Sequence, residues 1–144
     1  MSETTLPSMR VDGQVALVTG AGRGIGRGCA IALAEAGAEV IAMSRTEAEL
    51  KEVVAEIQDA GGTATPVVCD VSDGAAVRER ISEIQKLDIL VNNAGILRAS
   101  SLLELSEEDL DAMLQINCRG AVLVAQAAVQ IMERQGSGVV INMS

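Results

Sequence analysis

The fold is decided by VALVTGAGRGIG, Val15–Gly26. Val15–Thr19 is a short apolar run of strand type, and glycine then stands at every second position: Gly20, Gly22, Gly24, Gly26 and Gly28. IGRGCAIALAEAG, residues 25–37, follows with a helical pattern and Gly37 as its stop signal. A strand that passes through a glycine loop into a helix presents unpaired N–H groups and the positive end of the helix dipole, which together make an anion site. Glycine permits the positive-φ turn and lets a phosphate approach the backbone.

Outward from that loop, strands and helices alternate. EVIAMS (Glu39–Ser44) reads as a second strand, and TEAELKEVVAEIQDAGG (residues 46–62) as a second helix. Thr46 and Glu49 fit a capping box at its start; Leu50, Val53, Val54 and Ile57 recur at helical spacing, and Gly61 follows its end. ATPVVCDV (64–71) is a third strand, residues 73–84 a third helix, and LDILVNNAG (87–95) a fourth strand running into a tight loop. Ser106 and Asp109 fit a capping pattern ahead of a long helix to about Arg134, and GVVINM (138–143) is a fifth strand. Near-continuous apolar strands alternating with helices imply a parallel sheet covered on both faces. Right-handed crossovers then give a doubly wound α/β sheet of Rossmann type, strand order 3-2-1-4-5. Residues 1–10 are expected to be a flexible segment and residues 11–144 one dinucleotide-binding domain. Ligands in such sheets sit beyond the carboxyl ends of the strands, near the switch between strands 1 and 4. TGAGRGIG and NNAG both fall there.

Composition narrows the function classes. Hydrophobic residues are 49% and charged residues 22% of a 144-residue chain, a globular balance. The formal net charge of −9 argues against nucleic acid or an anionic membrane as partner. The longest apolar stretch, AVLVAQAAV (121–129), falls far short of the roughly 20 residues that span a bilayer. The chain has no His, Tyr, Phe or Trp. The commonest base at neutral pH and the commonest zinc ligand are therefore missing, and no metal site is expected. Cys29, Cys69 and Cys118 make no C-x-x-C and read as small buried apolar residues of a reducing compartment. MSETTLPSMR has no apolar h-region, so a cytoplasmic protein is expected. The Leu102–Leu105 cluster and the 121–129 stripe read as core or subunit contact.

The glycine loop is not a Walker P-loop, because G-x-x-x-x-G-K-[ST] is absent, and no register gives strict G-x-G-x-x-G. What occurs is T-G-x-x-x-G-x-G, at Thr19, Gly20, Gly24 and Gly26. Together with CDV (69–71), DILVNNAG (88–95), INCRG (116–120) and GVVINMS (138–144), this resembles the short-chain dehydrogenase/reductase family over nearly the whole chain after residue 10. The resemblance implies a nicotinamide cofactor held by Gly20, Arg23, Gly24, Ile25 and Gly26 of the loop, by Asp70 and Val71 beside the adenine, and by Asn93, Ala94 and Gly95.

Strand 2 ends in MSRT, Met43–Thr46, without the carboxylate that usually receives the ribose 2′-hydroxyl of NAD. Ser44 can donate to a 2′-phosphate, Arg45 can pair with it, and Arg23 can reach it from the glycine loop. The resemblance implies the same, so NADP is expected ahead of NAD.

The family's chemistry resides in a Tyr-x-x-x-Lys pair, a strand-5 serine and a helix asparagine. Asn117 corresponds to the asparagine. Ser144 stands at the end of strand 5, as the serine itself or, in the family's N-x-S-S register, one position before it. There is no tyrosine. The expectation is therefore an NADP-dependent oxidoreductase acting between a carbonyl and an alcohol, a homo-oligomer when whole. The present chain would be its amino-terminal, cofactor-binding half, truncated after strand 5 and inactive alone. The alternative is a non-catalytic nucleotide-binding or assembly module.

Overall fold

The computed structural model describes residues 9–144; residues 1–8, most of the segment expected to be flexible, lie outside the described residues. Arg10 is inside them, paired with Asp12 and donating from Nη1 to the Glu35 carbonyl at 3.3 Å. The elements in chain order are β1 (Val15–Thr19), α1 (Gly24–Glu35), β2 (Glu39–Ser44), α2 (Glu47–Asp59), β3 (Thr63–Val68), α3 (Gly74–Ser82), β4 (Ile89–Asn92), α4 (Glu107–Met113), a π-helical segment (Leu114–Gly120), α5 (Ala121–Gln135) and β5 (Val139–Asn142). All strand pairings are parallel and the order is β3-β2-β1-β4-β5. The Rossmann-type order read from the sequence is the one observed.

The alternation of side chains along each strand builds two cores. Ala16 and Val18 of β1, Val40 and Ala42 of β2 and Val91 of β4 face α1 and α2, where they meet Ala30, Leu50, Val53 and Ile57. Leu17, Met43 and Leu90 point the other way, onto Val77 and Ile81 of α3 and Val124, Ala128 and Ile131 of α5. A central strand buried on both faces explains why β1 carries no charged residue. Each fully buried aliphatic side chain of this kind contributes about 1.5–3 kcal/mol.

One side chain aligns the strands at their amino-terminal ends. The Asp88 carboxylate accepts from the Val15 N–H at 2.8 Å. Its own N–H donates to the Val15 carbonyl at 2.9 Å, and its carbonyl accepts from the Val139 N–H at 2.9 Å. Asp88 thus ties the start of β1 through its side chain and main chain, and the start of β5 through its main chain. Gln135 works alongside it, accepting from the Leu87 N–H at 2.8 Å and donating to the Leu87 carbonyl at 2.9 Å, which fastens the end of α5 to the start of β4.

Several local expectations are corrected. The third strand stops at Val68 rather than running to Val71. The Asp70 carboxylate accepts from both the N–H (2.9 Å) and the hydroxyl (2.8 Å) of Ser72 and starts a turn there. Ser106 does cap α4, accepting from the Asp109 N–H at 3.1 Å. Thr46 makes no capping bond to α2. Leu102 and Leu103 are 88% and 97% exposed, so that cluster is not core. Cys69 is buried, but Cys29 is half-buried and Cys118 exposed. The long helix bears a seven-residue π-helical stretch that apolar periodicity gave no sign of. Its path, Glu107–Gln135, is long and apolar enough to cross a membrane by length and composition. Here Val124, Ala128 and Ile131 bury one side of it on the sheet.

Replacing Asp88 by Ala leaves the partly buried Val15 N–H without its acceptor. A loss of about 1–3 kcal/mol is expected, lowering the melting temperature by several degrees. Thermal unfolding followed by circular dichroism checks this, and an unchanged midpoint would show that the clamp contributes nothing.

Candidate functional site

At the carboxyl end of the sheet, Thr19 is completely buried. Its hydroxyl oxygen accepts from the N–H groups of both Asn93 and Ala94, each at 3.0 Å. In return the Asn93 amide donates to the carbonyls of Thr19 at 3.2 Å and Gly20 at 3.5 Å. The ends of β1 and β4 are locked together in this way, and the glycine loop is pinned where it leaves β1. The Ala21 N–H adds a bond to the Met43 carbonyl at 3.2 Å, which ties the loop to the end of β2.

Two glycines are demanded by that arrangement. Gly20 turns with φ +67°. At Gly26 a Cβ would collide with the Gly20 carbonyl oxygen and stand 2.5 Å from the Asn93 amide nitrogen. The first turn of α1 thus lies directly on the loop. No side chain caps that turn and no acidic residue stands in it, whereas α2 and α4 begin with glutamates and α3 is capped by Asp73. Among these helices α1 alone keeps its positive end unneutralised by its own residues, and that end opens on the cleft.

The cleft encloses about 370 Å³. Of the residues singled out in the sequence, Gly20, Arg23, Gly24, Ile25, Ser44, Arg45, Asp70, Val71, Asn93, Ala94 and Gly95 line it, and Gly26 lies beneath the loop. Arg45 and Asp70 face each other across its rim at 4.0 Å, both well exposed. The Ser44 hydroxyl accepts from the Thr46 N–H at 3.3 Å. That bond explains the failed capping box: the N–H that Glu49 would have taken is already taken. The Glu49 side chain lies instead over Gly22, its Oε2 2.7 Å from where a Cβ on that glycine would stand, and it lines the cleft.

Glu49, Cys69, Ile96 and Ile116 are cleft residues that the sequence reading missed. The only signal for Glu49 was its place at the start of α2, which fits a helix cap equally well. Burial raises the Cys69 thiol above its ordinary pKa, with the neighbouring Asp70 carboxylate adding to the effect, so this cysteine is an unreactive wall.

Asn117 and Ser144 line a second, more apolar groove with Ile96, Val122 and Met143. Asn117 sits in the π-helical segment and bridges the main chain of Ile96, accepting from its N–H and donating to its carbonyl, both at 2.8 Å. Its side chain is thereby committed to the loop after β4. Nearby, buried Asn92 donates to the Ala121 carbonyl at 2.8 Å and to the Asn142 side chain at 3.2 Å, which joins β4, α5 and β5.

Comparison with known proteins agrees with this geometry. The family model described as short chain dehydrogenase matches residues 14–144. An uncharacterised oxidoreductase of Thermotoga maritima is 41% identical over 138 residues, covering 94% of this chain and 55% of that protein. A crystal structure of a short-chain type dehydrogenase/reductase from Mycobacterium marinum superimposes with a TM-score of 0.90 at 37% identity, over 94% of this chain and 57% of that one. A gluconate 5-dehydrogenase from Burkholderia cenocepacia, in complex with NADP and tartrate, gives 0.88 at 40% identity, over 94% and 55%. The chain belongs to the short-chain dehydrogenase family. It spans about half the length of the relatives it matches.

Gly26→Ala is expected to push the α1 start off the loop. Overpacking of this kind costs about 1–3 kcal/mol. A lower melting temperature should accompany a loss of nucleotide affinity in calorimetric titration, and an unaltered affinity would contradict the close packing assigned to this residue.

Proposed function

We propose that this chain is the cofactor-binding part of an NADP-dependent oxidoreductase acting between carbonyl and alcohol substrates. The observation that carries the reading is that Arg23, Ser44 and Arg45 all line one cleft, onto which the open amino end of α1 also faces. Guanidinium groups and a hydroxyl suit a phosphate, since charge-assisted hydrogen bonds are the strong ones. The NADP held by the related gluconate 5-dehydrogenase supports the same choice.

Each residue then has a definite task. The loop N–H groups and the α1 terminus receive the pyrophosphate. Arg23, Ser44 and Arg45 receive the ribose 2′-phosphate. Asp70 and Val71 border the adenine, and Asn93, Ala94 and Gly95 border the nicotinamide side. When bound, the nicotinamide supplies the hydride chemistry. Asn117 holds the Ile96 backbone in place at the edge where substrate would meet the cofactor, and Ser144 offers a hydroxyl to a carbonyl oxygen or lies next to the group that does. The Asn117 amide and the Ser144 hydroxyl carry no group that ionises near neutrality, so neither is the proton donor.

A homo-oligomer is part of the reading. Leu114, Val122 and Val129 form an exposed apolar stripe, and edge strand β5 exposes Val139 and Ile141. Edges of that kind pair with other chains. Sedimentation at micromolar concentration should show self-association, and a single monomeric species would argue against it.

NADPH is expected to bind roughly tenfold more tightly than NADH, the contribution of about one charge-assisted contact. Arg45→Asp should erase or reverse the preference. Equal affinity of the unaltered chain for both cofactors, measured by fluorescence titration, would contradict the assignment.

A further inference from the structure

We infer that Glu49 is a specificity determinant of the nucleotide cleft. Its carboxylate opposes a ribose 2′-phosphate and accepts a 2′-hydroxyl, so it holds the preference for the phosphorylated cofactor below what the arginines alone would produce. The inference rests on the reading of the cleft as a dinucleotide site.

No carboxylate ends β2 in the sequence, yet the fold supplies one there. A Cβ on Gly22 would stand 2.7 Å from Glu49 Oε2 and 3.2 Å from Ser44 Oγ, so both groups crowd the same point of the loop. Arg23 follows Gly22 directly and Arg45 follows Ser44, and both line the same cleft as the Glu49 carboxylate.

The Glu49 carboxylate is also without a partner. Glu47, in the same helical turn, is held by Lys51 at 2.8 Å. Among the described residues no ion pair or hydrogen bond is formed by the Glu49 side chain, which is half-buried against the cleft wall. The positive end of α2 stabilises an acid at this position, but it does so equally for Glu47 and does not require the side chain to cross Gly22. An unpaired carboxylate beside a phosphate is repelled, and beside a hydroxyl it gains a hydrogen bond. At this degree of exposure the difference amounts to several-fold in affinity.

The test uses 2′,5′-ADP and 5′-AMP, which differ only in the 2′-phosphate and need only the adenosine side of the cleft. Their dissociation constants are measured by calorimetry on the unaltered chain, Glu49→Gln, Glu49→Ala and Glu47→Gln. Both Glu49 variants should raise the affinity for 2′,5′-ADP relative to 5′-AMP by about three- to tenfold. Glu47→Gln, which removes the same charge from the same turn, should leave that ratio within about twofold. An unchanged ratio in a Glu49 variant that still binds both ligands would overturn the inference and leave the dinucleotide reading intact. An equal shift in Glu47→Gln would overturn it as well, by showing a general charge effect. Failure of the unaltered chain to bind either ligand would overturn the dinucleotide reading itself, and the role of Glu49 with it.

Discussion

The Thr19 hydroxyl, accepting two N–H groups from the loop that follows β4 on the other side of the switch point, is the interaction on which the cleft depends. A doubly wound sheet opens where its strand order reverses, because the helices after β1 and β4 leave on opposite faces. Without a tie, the loops at that opening would be free to separate. Four hydrogen bonds cross it between Thr19–Gly20 and Asn93–Ala94, two to the Thr19 hydroxyl and two from the Asn93 amide. The glycine loop is therefore a fixed wall, and α1 starts at a fixed place. Asp88 performs the matching alignment at the other end of the sheet. Phosphate recognition by backbone N–H groups needs this rigidity, since a loop that must be ordered on binding costs affinity.

Electrostatics complete what the lock begins. A chain with a formal net charge of −9 can hold a multiply charged anion only through local arrangement. Most of the helices that open toward solvent neutralise their own positive ends with glutamate, serine or aspartate, and α1 does not. Two arginines then stand at the rim, one of them lightly restrained by Asp70. Against this field the Glu49 carboxylate lies over the loop and Asp70 stands at the rim, which makes the site less uniformly basic than its MSRT segment suggests.

The strand order was legible in the sequence because it follows from alternation, apolar strand runs and the handedness of crossovers. The cleft was legible because TGAGRGIG and NNAG both had to fall at the carboxyl ends of adjacent strands. What escaped was decided by competition for single hydrogen bonds. Thr46 has the sequence of a helix cap, yet the Ser44 hydroxyl captures its N–H, and only then is Glu49 free to cross Gly22. The sequence reading carries strand 3 on to Val71, yet the strand stops at Val68 and the Asp70 carboxylate turns the chain at Ser72. The π-helical stretch likewise holds a tertiary bond, the bridge from Asn117 to Ile96, for which no local pattern exists.

That the lock and the open helix end together form a dinucleotide site is tested most directly by following backbone amide resonances while NADP is titrated into the chain. The largest shifts are expected at Gly20–Gly26, at Ser44 and Arg45 and at Asn93–Gly95, with little change at the opposite end of the sheet around Gly13 and Gly61. Shifts concentrated at that opposite end, or no saturable shifts in the glycine loop, would contradict it.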